Sequence, residues 1–248
     1  MDRAVARGLA ILEVLTRSDG SMRLTDIALQ VELQKSTVHR ILSTLIALGY
    51  AAQQEETGLY QPTLKVWELG ASVLATHPVK RIGAGYLQEL HRLTSETVSL
   101  TIPSGDDVLY LDKIISPRPI RFTTRVGSRV PMSRPASGKA ILAHLPQRRE
   151  IAERTLLRLE PEKQFDVDEL MDELDSILER GYSISSARPG TSSIASVIMT
   201  DNRKPVAALS VSAPTSRMTE SKQSDVIEAV LSISARLSES IGNIRLED

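Results

Sequence analysis

Along the first 62 residues apolar positions recur at helical spacing in three short runs, and each run ends in turn chemistry. Over residues 4–17, Val5, Leu9, Leu12 and Leu15 predict a helix that Ser18, Asp19 and Gly20 stop. Ile27 and Val31 form an i, i+4 pair on a short second helix, for which Thr25 is the expected cap and Asp26 a favourable first-turn acid. From Lys35 to Leu48, Val38, Ile41, Leu42, Leu45 and Leu48 form one stripe, and Gly49 ends it. Two short strands, 50–54 and 59–62, are expected around a turn at 55–58. Leu64 to Thr76 is helical again, through Leu64, Trp67, Val73 and Leu74, until His77 and Pro78 break it.

Beyond residue 80 the pattern shortens to alternation. Strands are predicted at 98–103, 108–115 and 120–124, the first two joined by a turn at 105–107. Asp166 followed by Glu169 fits a capping box for a helix bearing Leu170, Leu174, Ile177 and Leu178, which Gly181 terminates. Strands at 193–200 and 205–212 flank a turn at 201–204, and Val226, Val230, Ile233, Leu237 and Ile241 mark a C-terminal amphipathic helix. A mainly helical module therefore precedes an α+β module, and 248 residues are enough for both.

Composition narrows the function. With no cysteine there is no thiolate nucleophile, disulfide or cysteine zinc site. The longest uncharged stretch, Ile41 to Gln54, is shorter than the roughly 18 apolar residues of a membrane span. Arg7 and Glu13 interrupt the N-terminal apolar positions, so no secretory signal is expected and the protein is read as cytoplasmic. One Trp, five Tyr and two Phe are too few rings for a surface that stacks unpaired bases. Lys and Arg number 30 against 31 acids, and residues 1–62 set Arg3, Arg7, Arg17, Arg23, Lys35 and Arg40 against Asp2, Glu13, Asp19, Asp26, Glu32, Glu55 and Glu56. Any positive face that meets duplex DNA must be local.

Such a face stands at the start of the third helix, where Lys35, Ser36, Thr37, His39 and Arg40 crowd the first turns without an acid. Two helices, a short turn and a following hairpin are the layout of a winged helix-turn-helix, which presents those turns to base edges and phosphates. Arg23 and Thr25, on the preceding helix, complete the candidate DNA contacts. A small helical bundle whose charged helix start merely meets water fits the same pattern. Catalytic motifs are missing. Before Gly138 and Lys139, Ser133 occupies the first glycine position of a phosphate loop, and Ala140 replaces the hydroxyl that would hold magnesium. His39, His77, His91 and His144 have no metal-binding spacing, and the acid pairs 55–56 and 106–107 sit in predicted turns. No enzyme, metal or cofactor is expected.

The run from Arg3 to Gly70, with STVHRILSTLIALGY at its centre, resembles the DNA-binding domain of the IclR family of bacterial transcriptional regulators. VGSRVPMSRPASGKAILAHL at 126–145, ERGYSIS at 179–185 and PVAALSVSAP at 205–214 are similar to the ordered landmarks of that family's effector domain. The resemblance implies a winged helix-turn-helix over 1–62, a dimerising linker helix over 63–79, and a GAF-like α+β effector domain over 80–248 that often tetramerises. It also implies a pseudopalindromic double-stranded operator and a small-molecule effector. Carried over residue by residue, the pocket comprises Ala136 and Ser137 at a helix start, Ser185 and Ser193 on a loop and strand, and Ser210 and Ser212 on the last strand. Phe122 and Val130 add apolar wall. Ser185 stands near a frequent Asp position, Ser193 replaces a common Cys, and Arg188 adds a positive charge, so a small carboxylic acid, aromatic ones included, is the expected effector. In the turn before the third helix Glu32, Leu33 and Gln34 stand where the family usually has Gly, Leu and Pro. Two readings from other classes are an enzyme acting on a small organic acid with an N-terminal assembly module, and a winged-helix protein-interaction module.

Overall fold

A computed structural model of the chain describes residues 2–18, 20–120, 124–160, 164–186 and 189–242. The chain divides into two compact units, Met1–Ala75 and Thr76–Asp248.

In the first unit, α1 (Arg3–Arg17), α2 (Leu24–Gln30) and α3 (Lys35–Ala47) precede a hairpin of β1 (Ala51–Gln53) and β2 (Tyr60–Pro62) and then α4 (Leu64–Thr76). Asp2 caps α1, its carboxylate accepting from the backbone N–H of Ala4 at 2.7 Å. The inward side of α1 is Ile11 and Leu15, both fully buried, whereas Val5 and Leu9 are mostly exposed. The stripe expected from Val5 through Leu9 to Leu15 therefore corresponds to the core only at its C-terminal end. Ile27, Ala28, Val38, Leu42, Ala51 and Tyr60 complete that core. Thr25 is not the cap of α2: Arg23 holds the N-cap position without a side-chain cap bond, and the Thr25 hydroxyl, already inside the first turn, donates to Asp26 at 3.1 Å.

The turn from α2 to α3 closes on Glu32. Its φ of 53° is left-handed, while Leu33 N–H reaches back to the Ala28 carbonyl at 3.0 Å and Glu32 N–H to that of Leu29 at 3.3 Å. This pair of bonds is a Schellman ending, which usually places glycine where Glu32 stands.

The second unit comprises α5 (Pro78–Thr94), β3 (Thr97–Ser104), β4 (Asp107–Ile114), β5 (Arg129–Pro131), α6 (Ala136–Leu142), α7 (Arg148–Leu156), α8 (Val167–Arg180), β6 (Ser183–Ser185), β7 (Thr191–Met199), β8 (Pro205–Pro214) and α9 (Glu220–Ile241). Its strands form one antiparallel sheet in the order β5-β4-β3-β8-β7-β6. α5 and α9 pack together on one face, where a Cβ at Gly83 would come within 2.8 Å of Leu100. α6 lies on the other face against β7 and β8, with α8 packed against both α6 and α7. Six of the seven residues of α6 are buried, and a Cβ at Gly138 would stand 2.2 Å from the Met132 carbonyl oxygen, so the helix start requires glycine there. Asp166 caps α8 and Gly181 ends it in a left-handed conformation, while all five apolar residues expected on the last helix are buried.

α5 was not anticipated. The break expected at His77 and Pro78 is a new helix start, because proline at the first position gives up an N–H that would have no partner there. The strand expected at 120–124 lies partly outside the described residues; Ile120 and Thr124, at its ends, are not in a strand.

Candidate functional site

Two surfaces bring polar chemistry together, one in each unit. In the first, α3 begins at Gln34, whose side chain makes no cap bond, and the first turn holds no acid. The N–H groups there and the helix dipole favour an anion. Lys35, Ser36, His39 and Arg40 are exposed and Thr37 is half-buried, while Val38 and Leu42 turn inward and fix the rotation of the helix on the core. Arg23 and Thr25 are exposed on the N-terminal side of α2. Neither Lys35, Arg40 nor Arg23 forms an ion pair among the described residues, so their charge is free for phosphate.

The hairpin after α3 is tied to the rest of its unit by Met22, which exchanges two backbone hydrogen bonds of 2.8 Å with Tyr60. At its tip the Thr57 hydroxyl donates to the Gln54 side chain and the Gln53 amide to the Gly58 carbonyl, which orders the turn around exposed Glu55 and Glu56. Two acids make this tip a poor phosphate contact, in contrast to the start of α3, where Lys35 and Arg40 stand without an acid in the first turn.

In the second unit a cleft of about 750 Å³ opens on the sheet face that carries α6. Its floor is set by register. Thr97 of β3 lies opposite Ser212 of β8, Ser212 opposite Ser193 of β7, and Ser193 opposite Ser185 of β6. Residues opposed across antiparallel strands project from the same face, so four hydroxyl side chains form a row across four strands. Ser193 and Ser212 share a hydrogen bond of 2.8 Å, and Ser185 donates to the Arg134 carbonyl at 2.8 Å. Thr191, next along this face, also lines the cleft; its hydroxyl is buried and has no hydrogen-bond partner among the described residues.

The cleft is apolar where Tyr110 and Val130 of the sheet meet Phe165 and Leu170, and charged where α8 begins. Lys139 of α6 reaches Glu173 of α8 at 2.5 Å, and both line the cleft. Arg134, Asp166 and Glu169 line it as well, the Asp166 carboxylate being engaged in capping α8. A hydroxyl floor, an apolar wall and charge at the edges suit a compact ligand with one polar end and one apolar end.

Of the residues expected for an effector, Val130, Ser185, Ser193 and Ser212 line this cleft. Ala136, Ser137 and Ser210 are not among its lining residues: the first two are buried in the first turn of α6, the Ser137 hydroxyl with no partner among the described residues, and Ser210 lies two residues before Ser212 on the same face, opposite Ser99. Phe122 and Arg188 lie outside the described residues. Sequence reasoning missed Thr97, Ser99, Thr191 and Tyr110. The alternation of Thr97, Ser99 and Thr101 was visible, but not that β3 lies beside β8.

Model comparison matches residues 4–55 to the IclR helix-turn-helix domain and residues 71–239 to the bacterial transcriptional regulator IclR C-terminal family. The HTH-type transcriptional repressor AllR of Escherichia coli K12 is 31% identical over 225 residues, covering 89% of this chain and 83% of that protein. The structure of Pseudomonas aeruginosa HmgR is similar at 26% identity and a TM-score of 0.77, covering 97% of this chain and 100% of that one. An IclR homologue of Microbacterium hydrocarbonoxydans complexed with 4-hydroxybenzoate shares the fold, with a TM-score of 0.78 at 23% identity and coverage of 95% and 99%.

Proposed function

The chain belongs to the IclR family of bacterial transcriptional regulators, and from that premise we propose that it binds a pseudopalindromic operator through α3 and releases or engages it when a small carboxylic acid enters the cleft of the second unit. The observation that carries the reading is the start of α3: exposed Lys35 and Arg40, with no acid in the first turn and no ion-pair partner among the described residues. A duplex recognised this way is held by phosphate contacts and read by the side chains of the first turns. Residues 1–62 then form the DNA-reading part, 63–79 the linker and 80–248 the effector-binding part.

The exposed face of α4 supports self-association. The helix buries none of its residues, and Leu64, Trp67, Leu69 and Val73 are each more than half exposed. Pairing α4 between two copies covers that surface and gives the protein the two-fold symmetry that a palindromic site requires. A tetramer would assemble through the second units. No helix among the described residues is long and apolar enough to cross a membrane, and a DNA-bound regulator acts in the cytoplasm.

The effector class rests on the cleft's two-sided lining. Ser99, Thr191, Ser193 and Ser212 along the floor, with Ser210, Ala136 and Ser137 as further candidates, offer hydroxyls and helix N–H groups to the polar end of an acid, and Tyr110, Phe165 and Leu170 receive its aliphatic or aromatic body. The complex of a homologue with 4-hydroxybenzoate makes that acid a first probe. The test is a mobility shift on the promoter upstream of the gene, with and without a panel of carboxylic acids. Salt-sensitive binding of that DNA, altered by at least one acid, is expected; a chain that ignores the promoter at low salt, or whose binding no acid changes, overturns the reading.

A further inference from the structure

Behind the hydroxyl row, the same registers set a second one. Lys113 of β4 lies opposite Ser99 of β3, Ser99 opposite Ser210 of β8, and Ser210 opposite Ala195 of β7. Because opposed residues share a face and Ser99 lines the cleft, the Lys113 side chain rises at the outer end of the cleft floor. Its ammonium donates to the Thr124 carbonyl at 2.5 Å, and Thr124 is itself a cleft residue. The charge is thus held next to two residues that line the cleft, Ser99 and Thr124, and among the described residues that bond engages one of its three N–H donors.

Lys113 has no carboxylate within ion-pairing distance among the described residues. Asp112, its neighbour in the chain, is opposed to Leu100 and thus faces α5, where it meets Lys80 at 3.9 Å. Lys139, the lysine that lines the cleft, is already matched by Glu173. Burial pushes the Lys113 ammonium below its usual pKa, as expected for a partly desolvated cation without a counterion. A chain that keeps such a group beside a row of hydroxyls has left a place for an anion supplied from outside.

We propose that Lys113 is the countercharge of the effector, its ammonium pairing with the ligand carboxylate above Ser99 while the apolar body lies against Tyr110 and Val130. This rests on the reading that the cleft takes a carboxylic acid, and it assigns the discrimination between an acid and its neutral isostere to one side chain.

The experiment compares benzoate with benzamide and 4-hydroxybenzoate with 4-hydroxybenzamide, by calorimetric titration of the full chain and of Lys113→Gln and Lys113→Arg. The parent is expected to prefer acid over amide by about tenfold or more, the size of one charge-assisted hydrogen bond. Lys113→Gln is expected to lose most of that preference and Lys113→Arg to keep it, with DNA affinity in the absence of ligand unchanged. In the parent, the Nζ and Cε resonances of Lys113 should move on addition of the acid and stay in place with the amide, a readout that no folding defect of a variant can imitate. A Lys113→Gln protein with the parental preference, or unmoved Lys113 resonances on acid binding, overturns the assignment while leaving the carboxylate reading intact. If the parent binds none of these acids, or binds amides equally well, the carboxylate reading falls first and the assignment falls with it.

Discussion

At the scale of single residues, Glu32 and Gly138 show two ways in which backbone geometry selects a side chain. Glu32 occupies a left-handed position at which an L side chain costs energy and glycine does not. Glu32→Gly is therefore expected to stabilise the first unit by about 0.5–1 kcal/mol, net of the added freedom of the unfolded chain, as measured by urea denaturation. Gly138 is the opposite case. Its Cβ would meet the Met132 backbone at 2.2 Å from oxygen and 2.8 Å from carbon, neither of which can swing aside. Gly138→Ala should cost about 3 kcal/mol or more, seen as a lowered melting temperature of the second unit with the first unaffected. The Glu32 anomaly was readable in the sequence, since the turn departs from the Gly, Leu, Pro pattern of the family. The Gly138 constraint was not, because it comes from a backbone brought close by the fold of another segment.

At the scale of elements, α3 and α4 present exposed faces of opposite character. α3 turns Val38 and Leu42 inward, so its outer first turns are polar and basic. Arg40→Ala is expected to weaken operator binding by about 1–3 kcal/mol if the guanidinium reads a base, and Lys35→Ala to reduce the salt dependence by about one phosphate contact. Mobility shifts at two salt concentrations separate the two roles, and unchanged affinity in both variants would remove α3 from the interface. α4 instead leaves Leu64, Trp67 and Val73 to solvent. Replacing Trp67 and Val73 together with serine is expected to shift the protein from dimer toward monomer at micromolar concentration in sedimentation, with little change in the core of the first unit, which lacks both residues. The limits of both helices were well marked by periodicity. α5 was obscured because Gly83 interrupts the stripe of Val79, Leu87 and Leu90, and Thr94 ends it on a polar residue. β5 and β6, at three residues each, are too short for alternation to show.

At the scale of the whole molecule, the two units have separate cores, one around Ile11, Leu15 and Leu42, the other including Met132, Ile141 and Leu174. Thermal unfolding is accordingly expected to resolve into two transitions. A carboxylic acid that binds the cleft should raise the second unit's transition, by about 2.7 kcal/mol of stability at one hundred times its dissociation constant, while duplex operator raises the first. Calorimetry with each ligand alone checks this, and an acid that moved only the first transition would place its site outside the cleft. Local pattern by itself determined the run of helices and hairpin in the first 76 residues, the basic start of α3 and the alternation of hydroxyls in β3 and β8, because helix period, turn chemistry and strand alternation are properties of neighbours in the chain. Which hydroxyls meet was decided only in three dimensions. Thr97, Ser212, Ser193 and Ser185 become one row, and Lys113 comes to stand beside Ser99, through pairings between strands far apart in the chain. Burial on α1 was decided the same way: Val5 and Ile11 are both apolar, but the packing of α1 on α2, α3 and β2 covers only the second.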